Sequence, residues 1–251
     1  SVPDQEKLIS LEQAESFLKK HQSIVVKPAD NEQGRGISVD IRTLEELKKA
    51  LDWAKGYASE ILLESYHPGQ DLRVVVIQGE VVAASIRKIP QIVGDGQHSV
   101  KELLNYYNRR RLAATQGESS VPLDEETQRC LKRQALHLDS VLAKGQLVDL
   151  RKTANLHTGG TLHDVTKSLQ AHLKKVSLKA AEILEIPVVG LDLMIKDPSQ
   201  EDYVLIEANE RVGLANHAPQ PTAEKFIDFL FPQTIFKNKQ GFRENHEETD
   251  Y

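Results

Sequence analysis

The sequence is poor in cysteine, methionine and tryptophan, with one of each, and aromatic residues make up only 5% of its 251 residues. A single thiol, Cys130, excludes an intrachain disulfide framework and points to a reducing, cytoplasmic setting. Long apolar runs are also missing. The longest, around Val74–Ile77, falls far short of a bilayer span, and nothing at the N-terminus has the basic-then-apolar order of a signal peptide. No excess of positive charge exists either: 32 Lys and Arg face 37 Asp and Glu, a net charge of -5. That balance argues against broad electrostatic binding to nucleic acid. The nine histidines show no paired metal-ligand spacing. There is no internal repeat and no low-complexity segment. What remains is ordinary for a globular protein, 39% hydrophobic and 27% charged, so a disordered chain is excluded.

Helical and extended patterns alternate. Leu11–Lys20 reads as a short amphipathic helix capped by Ser10, with Gln13 as reciprocal partner. Ile24–Lys27 reads as a strand ending at Pro28, and Gly36–Ile41 as a second. Thr43–Glu46 has the capping-box pattern ahead of a helix built on Leu44, Leu47, Ala50, Leu51 and Ala54. Three strands follow, Ile61–Tyr66, Leu72–Gln78 and Glu80–Lys88, the last two joined by a Gln78-Gly79 hairpin turn. Ile89–Gln97 reads as loop, Val100–Leu112 and Glu125–Leu138 as helices, and Gln146–Leu150 as a strand. A polar loop, Arg151–Asp164, leads to a helix capped by Asp164 and running to about Leu184. Two apolar strands, Pro187–Ile195 and Tyr203–Ala208, and a last helix, Ala223–Leu230, complete the pattern. The order predicts an α+β or α/β chain with mainly antiparallel strands.

Four segments could carry chemistry. Lys27 ends a strand just before Gly34, Arg35 and Gly36. Glycines there let backbone N–H groups approach phosphate oxygens, and the ammonium neutralises them. The same residues also suit an edge-strand lysine beside a routine loop. Glu64, Asp71 and Arg73 flank a turn between apolar strands, placed to hold a ribose, an amine or an anion, or simply to make a surface ion pair. Asp192 lies inside an apolar run, and Glu207 and Asn209 are two apart, on one face of a strand. An acid there is costly unless paired or bound to a cation, and three oxygen donors suit Mg²⁺. Arg151–Thr161, with Gly159 and Gly160, suits either a mobile anion-binding loop or a flexible connector. Cys130 reads as a small buried hydrophobe.

Taken in order, these segments resemble the ATP-grasp family, and within it the cyanophycin synthetase-like branch. The likeness rests on Lys27 with Gly34 and Gly36, Glu64 to Arg73, Ala83–Arg87, Val93–His98, Leu150–Thr161, Gly190–Met194, and Glu207-Ala208-Asn209 ahead of Gly213, and it spans roughly residues 1–232. The ending Glu210–Phe226 is similar to the ligase part of acetyltransferase/ATP-grasp fusions that make N-acetylglutaminylglutamine amide. The resemblance implies an ATP-grasp fold of two α+β subdomains clasping ATP, residues 1–66 the smaller and 67–232 the larger, with a helical insert over about 98–146 and a flexible tail, 233–251. It implies an ATP-dependent carboxylate–amine ligase acting through an acyl phosphate on amino-acid or short peptide substrates. A catalytically incomplete ATP-binding module and a kinase on the same scaffold stand as alternatives.

By motif match, Lys27, Gly34, Arg35 and Gly36 would hold ATP phosphates. Glu64, Ser65 and Tyr66 would form the adenine hinge, partly through backbone groups, and Asp71 would bind the ribose. Met194 and Ile206 would pack near adenine. Asp192, Glu207 and Asn209 would bind Mg²⁺, or Mn²⁺ in its place. Arg87, Arg151 and Asn155 would be catalytic, and Arg73, Gly159 and Gly160 would touch phosphate or substrate while the loop Leu156–Asp164 closes. The partners so implied are small-molecule substrates, with neither nucleic acid nor membrane, a homo-oligomer, and an N-terminal substrate region. The chain departs from the family's pattern at Val212, where proline is usual, and it begins near the start of the nucleotide-binding region, as an excised fragment would.

Overall fold

The structure, a computed structural model, describes residues 1–30, 35–197 and 201–234. The chain divides into two compact units: Ser1–Asp71 with Arg87–His163, and Leu72–Ile86 with Asp164–Tyr251.

The first unit contains a four-stranded sheet of β1 (Gln5–Lys7), β2 (Ile24–Pro28), β3 (Ser38–Ile41) and β4 (Ile61–Ser65), in the spatial order β1-β4-β2-β3. Alternation sends Ile24, Val26 and Leu63 to one face, where helices α1 (Leu11–His21) and α2 (Leu44–Lys55) bury Ala14, Phe17, Leu18, Leu47 and Leu51 against them. Each such side chain contributes about 1.5–3 kcal/mol by leaving water. The opposite face carries Lys27 and Glu64. Both helix caps form on the Ser10 and Thr43 side, which accept from the N–H groups of Gln13 and Glu46. The return bonds land one residue early: Gln13 accepts from Ile9 N–H at 2.7 Å and Glu46 from Arg42 N–H at 3.0 Å. Strand β1 is an addition to the sequence expectation. Its three residues are exposed and carry no hydrophobic alternation; only pairing with β4 defines it.

The stretch expected as an insert has its own core. Helices α3 (Val100–Ala114) and α4 (Glu125–Arg133) pack with the ribbon of β7 (Gln91–Val93) and β8 (Leu147–Asp149) around Ile92, Val100, Leu104, Leu131, Leu142 and Val148. Strand β7 falls where a loop was expected. Helix α4 stops at Arg133 rather than Leu138, because Ala135 turns left-handed at φ 56° and Leu136 N–H bonds back to the Leu131 carbonyl. Arg129 and Arg133 tie α4 to the first sheet: Arg129 reaches the Val39 carbonyl, and Arg133 reaches Asp40 at 3.0 Å and Glu46 at 2.7 Å.

The second unit centres on a five-stranded sheet that joins β5 (Gln70–Ile77), β6 (Glu80–Lys88), β9 (Thr161–Asp164), β10 (Val188–Ile195) and β11 (Tyr203–Asn209), in the order β11-β10-β5-β6-β9. Gln78 and Gly79 both take positive φ, 51° and 73°, as a two-residue hairpin turn requires. One sheet face buries Leu72, Val74, Val76, Ala84, Leu191 and Leu193 against α5 (Ala171–Leu184). Helix α5 begins at Ala171, six residues later than a cap at Asp164 implies. That carboxylate accepts instead from Thr166, O–H at 2.5 Å and N–H at 3.3 Å, at the first residue of a separate 3₁₀ turn, Thr166–Ser168. The other face carries Val75, Ile77 and Ala83 against Phe226 and Phe229 of α6 (Thr222–Leu230). Among the described residues no helix is long and apolar enough to cross a membrane. Gly34 and the tail from residue 235 lie outside the described residues.

Candidate functional site

In the second unit, the strand pair β10–β11 places the three oxygen donors together. Asp192 stands directly opposite Glu207, and Gly190 opposite Asn209. Opposed residues point to the same face with Cβ atoms about 4.5–5.5 Å apart. Asp192 therefore shares a face with Glu207 and, two residues on, Asn209. It is the face away from the Leu191 and Leu193 core. Arg73 of β5 meets Asp192 with both ends of its fork: Nε donates to Oδ1, and Nη2 to Oδ2 at 3.0 Å. Both side chains are largely buried, at 15% and 8% exposure. Gly190 makes room for this arginine, since a Cβ there would lie 2.8 Å from Arg73 Nη1.

The register slips after Asp192, so that Leu193 faces Leu205 and Ile206 is the extra residue of a bulge. A bulge bends the strand and re-aims its side chains, and such features concentrate beside functional sites. Met194 and Ile206 are both half-buried here. Ser85, absent from the sequence candidates, lies on β6 opposite in parity to the core-facing Ala84 and Ile86; its buried hydroxyl has no partner among the described residues. Period-two alternation along β6 could have found it.

The donor chemistry fits a hard divalent cation: two carboxylates and an amide oxygen on one face, with water and phosphate able to complete the shell. Among the described residues no group of three His, Cys, Asp or Glu is placed to hold a metal. The third donor of this set is the amide of Asn209.

In the first unit, Lys27 Nζ sits 2.5 Å from Glu64 Oε2, with the two side chains 21% and 5% exposed. Gln5 Nε2 donates to the same oxygen at 3.1 Å. Gly36 packs against Pro28 and Tyr57, next to Lys27, while Arg35 is exposed. Asp71 is paired with Arg87, at 2.7 Å from Nη2. The hinge expectation needs one correction. The N–H of Ser65 donates to Asp4 O at 2.9 Å and that of Tyr66 to Ser23 O at 3.1 Å, so neither is open to a ligand. The added strand β1 is the reason: it brings Asp4 alongside Ser65, whose Oγ accepts from Asp4 N–H at 3.0 Å.

The segment 151–160 is tied to helices α3 and α4 by hydrogen bonds. Arg151 is 1% exposed. Its Nη1 donates to Asp124 Oδ1 at 2.7 Å and Thr127 Oγ1 at 3.1 Å, gripping the N-cap of α4. Asn155 caps a 3₁₀ turn through His157 N–H at 2.8 Å. The carbonyls of Gly159 and Gly160 accept from Tyr107 Oη at 2.6 Å and Arg111 Nη2 at 2.8 Å, both on α3. A Cβ on Gly160 would meet the Ala154 carbonyl oxygen at 2.4 Å. Cys130 is buried, as its pattern implied; burial and then the charge of Glu126 push its thiol up to about 12, which disfavours the thiolate.

Residues 5–98 match the family described as prokaryotic glutathione synthetase, ATP-grasp domain. The chain is 34% identical over 222 residues to a cyanophycin synthetase of Nostoc sp., covering 83% of this chain and 25% of that protein. A bifunctional glutathione synthetase from Pasteurella multocida superimposes with a TM-score of 0.56 at 30% identity, over 92% of this chain and 34% of the other. D-alanine–D-alanine ligase from Bacillus anthracis shares the fold, with a TM-score of 0.55 at 14% identity over 96% of this chain and 64% of the other. The chain belongs to the ATP-grasp family and has its α+β fold. It spans about a quarter of the length of the cyanophycin synthetase it matches.

Proposed function

We propose that this chain is the nucleotide-binding part of an ATP-dependent carboxylate–amine ligase that makes an amide or peptide bond through an acyl phosphate. The observation that carries the reading is the placement of Asp192 opposite Glu207, with Asn209 on the same face and Arg73 gripping Asp192. Phosphoryl transfer asks little covalent chemistry of a protein and much alignment and charge neutralisation. Asp192, Glu207 and Asn209 would hold Mg²⁺, which would supply positive charge against that developing on the nucleotide phosphates. Arg73 holds the Asp192 carboxylate in place at the sheet face. Lys27 would exchange part of its contact with Glu64 for phosphate oxygens. Asp71 would take the ribose, with Arg87 as its positioning partner. Met194 and Ile206 offer half-buried apolar surface for a base.

Substrates of the amino-acid or short-peptide class fit this chemistry, since an amine attacks the acyl phosphate and phosphate leaves. The likeness of residues 210–226 to N-acetylglutaminylglutamine amide synthesis makes acyl-dipeptides the first acids to test. A cytoplasmic setting fits the single buried thiol.

Titration calorimetry with ATP tests the reading. Binding is expected to require Mg²⁺ and to weaken at least about tenfold in Glu207→Gln and in Lys27→Ala. Binding indifferent to Mg²⁺ and to both changes would overturn it. A second reading, a nucleotide-binding module without chemistry, is favoured by the buried bonds of Arg151, a catalytic candidate, to Asp124 and Thr127. ADP release with amide formation by the protein that contains this chain separates the two.

A further inference from the structure

Sheets usually protect their edges, and the β7–β8 ribbon protects only one. On the β8 side, Gln134 acts as a third strand in miniature: its amide donates to the Asp149 carbonyl at 2.8 Å and accepts from the Asp149 N–H at 3.1 Å. Those bonds show that Asp149 points its backbone outward. Leu150 N–H bonds to Pro90 O and Gly94 N–H to Gln146 O, so the inward pairs are 90 with 150 and 94 with 146. Gln91 and Val93, opposite Asp149 and Leu147, must therefore turn their N–H and C=O groups to the outer edge of β7. Among the described residues none of these four groups has a partner.

Beside this strand runs a groove of about 800 Å³, walled by β7 and by Leu103, Tyr106, Tyr107, Arg109, Arg110 and Ala113 of α3. Arg109 lies over the Tyr106 ring, 4.9 Å from its centroid, and neither Arg109 nor Arg110 has an acidic partner among the described residues. Val93 is 55% exposed and its cross-strand neighbour Leu147 62%, so the ribbon also offers apolar surface.

We infer that this groove docks an extended, acidic peptide segment that adds to the outer edge of β7. Open backbone donors and acceptors supply the pairing, apolar side chains alternate onto the ribbon, and carboxylates meet the two arginines. Charge selects this occupant over a second copy of the chain, which would bring the same arginines to the same groove. The inference does not depend on the ligase reading.

A short fluorescein-labelled peptide of alternating aspartate and valine, titrated against the 251-residue chain and followed by fluorescence anisotropy, tests it. The expected result is saturable binding that weakens at least about tenfold in the double variant Arg109→Glu, Arg110→Glu. The peptide N-methylated at alternate amides should not bind. Val93→Pro removes an outward N–H but no bond to β8, so it should also lose the peptide while its circular dichroism and melting temperature stay near those of the parent. Absence of binding, equal binding of a lysine–valine peptide, or retention by the N-methylated peptide would overturn the inference. So would a dimer in sedimentation that Val93→Pro dissolves.

Discussion

The strand pair β10–β11 and the segment 150–160 carry the same kinds of residue, and the fold uses them in opposite ways. Each contributes one member of an arginine–aspartate pair, Asp192 to Arg73 and Arg151 to Asp124, a glycine at a close approach and an asparagine nearby. In the strand pair, Arg73 and Asp192 leave Glu207 exposed and Asn209 half-buried on the same face, so oxygen donors remain for a ligand. In the segment, Arg151 is fully enclosed and the glycine carbonyls are spent on Tyr107 and Arg111. A charged side chain in a motif is thus no guide to its role until its partners are known.

The largest effect expected of this contrast is on stability. Arg151→Ala breaks an ion pair from its buried side and leaves a cavity, and should cost about 3 kcal/mol in urea unfolding. Glu207→Gln, on an exposed side chain, should stay within about 0.5 kcal/mol of the parent. Equal costs would erase the distinction between anchor and ligand site. Next, Gly160→Ala forces a Cβ against backbone carbonyls and should cost about 1–3 kcal/mol, whereas Gly190→Ala meets only side chains, Arg73 closest and Val212 at ordinary contact, and should cost less. Thermal melts of the two variants rank them directly.

The smallest effect is a pH dependence inside the first unit. Burial pushes the carboxyls of Asp40 and Glu46 up. For Asp40 the Ser23 hydroxyl, Arg42 and Arg133 outweigh it, and for Glu46 Arg133, the Arg42 N–H and Arg129 do; both end below their ordinary values. Carboxyls depressed in the folded state stabilise it above their unfolded pKa, and that contribution is lost as pH falls through the folded value. Stability should therefore fall below about pH 4, and Arg133→Met should be less stable at neutral pH and show a flatter acid limb. An unchanged limb would mean that Arg133 does not hold these carboxylates.

Much of the fold was legible. Caps at Ser10 and Thr43, the Gln78-Gly79 turn and the amphipathic helices depend on neighbours within a few residues, so a single sequence specifies them. Strand β1 and the true start of α5 were not, because pairing across 59 residues defines the first and Thr166 captures the expected cap of the second. The site divides the same way. The spacing of Glu207 and Asn209 announced a shared face, since strand periodicity is local.

By itself, the sequence determined the family, the alternation that buries each sheet face and the residue types able to hold a cation and phosphates. Only the tertiary structure decided which charged groups stay available, because that depends on register. One residue of slip at Ile206, one arginine laid over Gly190 and one buried under a helix cap are set by contacts between segments far apart in the chain. No local pattern encodes those contacts.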